Sequence, residues 1–279
     1  MKKGIFFALL FGALFLLLFS LVVHQASNAS KRQREAVGDL GLHKHALIAD
    51  DISFDLKEIM QIRSVRISRD AAHAYLFMNE TLPSGYLDPS GALLQYAAFI
   101  QGRYAERQNL AGKLILDLDE FSGGPFIYFD GAGINYSYSD PGKENATLFG
   151  PATVEKFSLQ IGPASSDVFQ DCGWEAQHAG SLEVEIIMVA QNCPSQSVLL
   201  DPSSESVFWA NSSSGKFLRI AIGDVDGHSH SLKIIPDGIP ISNSLNVTVA
   251  TSAPITAWMP VALNFSDDYI LSTLIIAEN

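Results

Sequence analysis

The chain has 279 residues, a formal net charge of −12, and 47% hydrophobic against 17% charged residues, which leaves room for a membrane segment and one large or two modest domains. The charge is uneven: residues 31–108 carry ten Lys and Arg against ten Asp and Glu, and residues 109–279 carry six against twenty. An acidic C-terminal part argues against nucleic-acid binding, because that affinity comes from Lys and Arg neutralising phosphates.

The first element is Ile5–Val23, nineteen residues without a charge, Pro, Asn or Gln. As a helix it would span about 29 Å, close to the hydrocarbon thickness of a bilayer, and it is apolar all round. Lys2 and Lys3 precede it, and Lys31, Arg32 and Arg34 come after it, so the positive-inside rule does not choose an orientation. Small residues at Ser27 and Ala29 also allow a cleaved signal peptide ending before Ser30, but the apolar core is longer than the 7–15 residues usual there. The expectation is an uncleaved anchor over residues 1–24.

Seven of the eleven asparagines begin an Asn-x-Ser/Thr triplet: Asn28, Asn79, Asn135, Asn145, Asn211, Asn246 and Asn264. Chance gives about 1.5 at this Ser and Thr content. Ser-rich loops account for some such triplets, but the number favours an N-glycosylated chain that faces outward, with the amino end in the cytoplasm. Cys172 and Cys193 are the two cysteines, and an even count in an extracytoplasmic chain predicts a disulfide. Two unrelated buried thiols are the alternative. Neither lies in a CxxC pair, so no metal site is expected.

Residues 25–108 are expected to form a helical stalk or hairpin. Ile48, Ile52, Leu56 and Ile59 recur at helical spacing with Asp50, Asp51, Asp55 and Glu58 opposite, which predicts an amphipathic helix running to about Met78. Pro and Gly breakers come next at 82–91, then a second helix over Ala92–Arg107. From Asn109 the period changes to two. Segments at 113–119, 125–129, 133–138, 153–161, 182–190, 206–210, 216–222, 231–235, 245–251, 257–263 and 269–276 predict an antiparallel β-sandwich over 109–279, either one sandwich or two divided near Ser165–Asp171. The fold class expected is therefore α+β: a transmembrane helix, a helical stalk, and a sandwich head.

Candidate chemistry is sparse. Asp224-Val-Asp226-Gly227 has the start of a calcium loop, yet lacks its later acid ligands, and reads better as a hairpin turn. His228 and His230 could supply two zinc ligands without a third. Asp117, Asp119 and Glu120 offer carboxylates for glycoside hydrolysis without an identifiable partner. Trp174, Trp209 and Trp258 could stack on sugars, or fill the core and rim. No GxSxG or Gly-rich phosphate loop occurs. No catalytic, cofactor-binding or metal residue is expected, and no cofactor.

The leader Met1-Lys2-Lys3-Gly4, continued at once by Ile5-Phe6-Phe7, resembles the type IV pilin-like surface proteins of archaea, the class III signal-peptide group. The resemblance implies cleavage between Gly4 and Ile5, apolar helices that bundle into a filament core, and heads that face outward. Many pilins carry Glu at the fifth position after the cut; Leu9 stands there. The function expected is a single-span cell-surface structural protein acting in envelope assembly or adhesion, with the bilayer, like subunits, other envelope proteins or surface glycans as partners. A membrane-anchored lectin-like sandwich is the alternative, and after it an anchored extracellular hydrolase.

Overall fold

The computed structural model describes residues 44–82, 89–118, 126–138, 145–164, 168–190, 192–265, 269–271 and 274–278. The expected anchor over 1–24, with Gly4, Ile5 and Asn28, lies outside them. Among the described residues no helix is long and apolar enough to cross a membrane. The chain divides into two units between Ile52 and Ser53.

The first described helix, α1, covers residues 44–59. Ile48, Ile52 and Leu56 are buried as expected, while Ile59 is half-buried and Met60, just past the helix, is buried instead; Asp50 and Asp51 are exposed. It stops well short of Met78. Gln61 takes a left-handed φ of 51°, and its amide donates to the Glu58 carbonyl, a helix-ending turn. Beyond it the chain is extended: β1 (Ile62–Arg69) and β2 (His73–Leu82) form an antiparallel hairpin. Over its described part, 44–82 and 89–108, the expected helical stalk is therefore corrected, and with it the α+β class, to a mostly β, sandwich-like fold with two short helical runs among the described residues. The reason is local. The Ile62–Arg69 segment carries the β-branched Ile62, Val65 and Ile67, and in the partner strand Ala74, Leu76, Met78, Glu80 and Leu82 are buried at every second position. Asp70 closes the hairpin: its carboxylate accepts the amides of Ala72 and His73, each at 2.8 Å, and the Tyr75 hydroxyl at 2.7 Å.

The second helical run begins with α2 (Pro89–Phe99), continues through a π-helical turn at Ile100–Tyr104, and ends in α3 (Ala105–Arg107). It contains the expected helix at 92–107, but it is no partner in an αα-hairpin, since β1 and β2 intervene. Its Gln101 side chain donates to the Leu116 carbonyl of β3 (Leu114–Asp117), part of a three-stranded sheet in the order β17 (Tyr269–Leu271), β16 (Ala262–Phe265), β3.

Two larger sheets make the body. One runs β1, β2, β14 (Ile241–Ala250), β7 (Val154–Pro163), β9 (Ala179–Met188), β10 (Gln196–Leu200). The other runs β18 (Leu274–Glu278), β15 (Thr256–Met259), β4 (Phe126–Asp130), β5 (Ile134–Tyr138), β6 (Ala146–Phe149), β13 (His228–Asp237), β12 (Phe217–Val225), β11 (Ser206–Ser212), β8 (Phe169–Ala176). Strands from both sides of residues 165–171 pair with one another in each sheet, so this is one sandwich. Among the described residues all pairings are antiparallel except β7 with β9, which are parallel because the chain crosses through β8 in the other sheet between them. Phe157, Phe169, Phe208 and Tyr136 are fully buried, and each such side chain contributes roughly 2–3 kcal/mol.

Cys172 and Cys193 form a disulfide, as the even count predicts, with Cα atoms 5.5 Å apart. Cys172 lies on β8, an edge of the nine-stranded sheet; Cys193 precedes β10, an edge of the six-stranded sheet. The bridge joins the two sheets where neither has another strand to hold it.

Candidate functional site

Two constellations stand out, one between the sheets and one on the outside. Between them sits Glu80 of β2, fully buried. Both Tyr136 and Tyr138, on β5 in the opposite sheet, donate their hydroxyls to its carboxyl group, Tyr138 at 2.6 Å. Asn243, also fully buried on β14, donates its side-chain amide to Glu80 at 3.3 Å. Burial, reinforced by the charge of Glu80 and by the phenols' own hydrogen bonds to it, pushes both phenols well above their ordinary range. This network ties one sheet to the other, and it is closed to solvent. Sequence reasoning does not find it. The signal is present, because Glu80 occupies an inward slot of β2, but only once residues 73–82 are recognised as a strand.

The outer constellation crosses the solvent face of the nine-stranded sheet. Trp258 of β15 pairs across strands with Tyr128 of β4, their ring centroids 5.3 Å apart, and Phe126 lies edge-on to Trp258 at 6.4 Å. Tyr128 pairs with Asn135 of β5, and Asn135 pairs with Phe149 of β6. Phe149 meets the His228 ring at 4.6 Å. On the far side Ile275 pairs with Trp258 and is 53% exposed. The inward neighbours Ile127, Phe129, Ile134 and Tyr136 are buried, so the row is the wet side of the same strands.

No family model, curated protein or solved structure matches this chain.

The other residues singled out in the sequence are dispersed over the fold. Asn79, Asn135, Asn211, Asn246 and Asn264 lie on strands, and Asn145 just before β6; all six are half-buried or exposed. By contrast Asn243, the buried strand asparagine, begins no sequon. Asp226 and Gly227, with φ of 53° and 83°, form the two-residue turn joining β12 and β13, and the Asp226 carboxylate accepts Lys233 at 2.8 Å. His228 is exposed and His230 half-buried. No group of three or more His, Cys, Asp or Glu suited to a metal occurs among the described residues. Asp117 is exposed on β3, while Asp119 and Glu120 lie outside the described residues. Trp174, Trp209 and Trp258 are all half-buried; Trp174 packs edge-on to Phe208, and Trp209 lies over Gly173. An open groove of about 920 Å³ runs beside edge strand β1 and is lined by Phe54, Lys57, Glu58, Gln61 and Arg63 among others. Among those lining residues Glu58 is the single carboxylate, where glycoside hydrolysis needs two.

Proposed function

We propose that this protein is a membrane-anchored, outward-facing surface glycoprotein whose β-sandwich acts through surface contacts in envelope assembly or adhesion. The observation that carries the reading is the placement of the sequons. All six described sequon asparagines sit at solvent-accessible positions, while the buried strand asparagine, Asn243, has no sequon. A disulfide that joins the two sheets agrees with an oxidising compartment. The apolar run Ile5–Val23 supplies the anchor, with the amino end in the cytoplasm. The pilin-like resemblance is confined to the leader and that run, since the chain turns to strand after α1.

A second reading, a lectin-like module, is favoured by the half-buried row around Trp258, Tyr128 and Phe126, because a pyranose ring stacks its C–H face on such rings.

Mass spectrometry of the full chain purified from its own membranes tests the first reading. Glycan on the sequons, oxidised Cys172 and Cys193, and a retained apolar run beginning at Met1 or Ile5 are expected. Bare asparagines with reduced thiols would overturn it. Binding of the purified protein to a panel of free oligosaccharides, lost on Trp258→Ala, would move the choice to the second.

A further inference from the structure

We propose that a glycan on Asn135 lies flat on the protein, its first sugar seated between Tyr128 and Phe149 with Trp258 extending the platform. The inference rests on the outward-facing glycoprotein reading and deepens it, by assigning the aromatic row to the chain's own sugar.

The decisive feature is register. Asn135 is the direct cross-strand partner of Tyr128 on one side and of Phe149 on the other. Directly opposed residues in an antiparallel pair hold their Cβ atoms about 4.5–5.5 Å apart. A sugar bonded to the Asn135 amide nitrogen therefore starts within reach of both rings. The Asn135 amide oxygen is buried and meets no hydrogen-bond partner, so the side chain lies along the sheet rather than standing out into solvent. Rings left half in water gain by being covered, and an N-acetylglucosamine offers an apolar ring face and a methyl group for the purpose.

The same adjacency recurs. Asn211 pairs with Phe217, which is 41% exposed; Asn246 pairs with Phe77; Asn264 pairs with Ile115, which is 48% exposed. Asn79 differs: its cross-strand partners are Ser64 and Ser244. Asn79 is therefore the internal control, a sequon whose direct cross-strand partners are both serines.

Hydroxyl-radical footprinting of the full glycosylated chain tests this, with the Ser137→Ala variant, which removes the sequon but keeps Asn135. Loss of that glycan is expected to raise oxidation of Tyr128 and Phe149 roughly threefold, with a smaller rise at Trp258 and none at inward-facing Trp174. Thr81→Ala, which removes the Asn79 sequon, is expected to change none of the four. Unchanged labelling of Tyr128 and Phe149 in Ser137→Ala would overturn the inference and leave the glycoprotein reading standing. So would an unmodified Asn135 in a chain whose other sequons are occupied. A chain with no occupied sequon would overturn both.

Discussion

The space between the sheets and the outer face of the nine-stranded sheet invert the usual distribution of side chains. Between the sheets a carboxyl, two phenols and a carboxamide meet at Glu80; outside, Trp258, Tyr128, Phe126 and Phe149 stand half in water. The two departures differ in kind. Buried polar groups are tolerated because they bond to one another, and that bonding requires both sheets to be in place. Exposed rings make no such demand on the fold, so they add little to stability unless something covers them. The inner cluster is thus read as structural, and the outer row as a contact surface.

Removing Glu80 is expected to have the largest effect. Glu80→Ala leaves two buried hydroxyls and a buried amide without their acceptor and opens a cavity, and the midpoint of urea denaturation should report a loss of about 3–5 kcal/mol. Glu80→Gln, which can still accept, should cost about 1–2 kcal/mol. Equal losses for the two variants would deny the hydrogen-bonding role. Second in size is the staple between the sheets. Ser at both Cys172 and Cys193 opens a link spanning 21 residues, and should lower stability by about 3 kcal/mol without changing the secondary structure seen by circular dichroism.

On the outer side, Trp258→Ser should cost less than about 1 kcal/mol in protein stripped of glycan, because its ring already meets water. A loss as large as that of Glu80→Ala would erase the contrast between the two regions.

Protonation gives two further tests. Folding holds Tyr136 and Tyr138 in their neutral form well above the ordinary phenol range, so their contribution is whole below about pH 10 and is lost as the pH rises beyond it. These two tyrosines should ionise only as the protein unfolds, a step visible as phenolate absorbance at alkaline pH. The smallest effect is expected at Asp70. The Ala72 amide first, then the Tyr75 hydroxyl and the His73 amide, hold its carboxyl far below the usual carboxylate range. Its contribution is present above about pH 4 and is lost as the pH falls toward the depressed value. Asp70→Asn should shallow the acid limb of the stability profile, with its loss confined to pH above about 4 and kept small because the group is exposed to solvent.

Much of the β-rich part is legible in the sequence because a strand writes its two faces into neighbouring residues. Segments such as Leu182–Met188 alternate clearly enough to be placed without any partner. The hairpin at 62–82 is hidden for a physical reason: α1 sets a helical rhythm that its apolar positions carry to Met60, and the stop is a single left-handed residue, Gln61, with no Gly or Pro to mark it. β6, β8 and β10 are hidden as well; each is short or interrupted by Gly, Cys or Ser. The sequons share this ambiguity. A strand with a polar face naturally writes Asn, a core residue, then Ser or Thr, so Asn135-Tyr136-Ser137 satisfies strand and glycosylation signal together.

By itself the sequence determined the period of two, the wet side of most strands, the two residues able to form a disulfide, and the apolar run at the amino end. Only the tertiary structure decided that Glu80 would face Tyr136 and Tyr138, that Asn243 would reach it from 163 positions away, and that Asn135 would fall between Tyr128 and Phe149. The division arises from where the information lies. Alternation is a property of adjacent residues, whereas register is set when distant strands pair, and a shift of one residue would have sent each of those side chains to the opposite face.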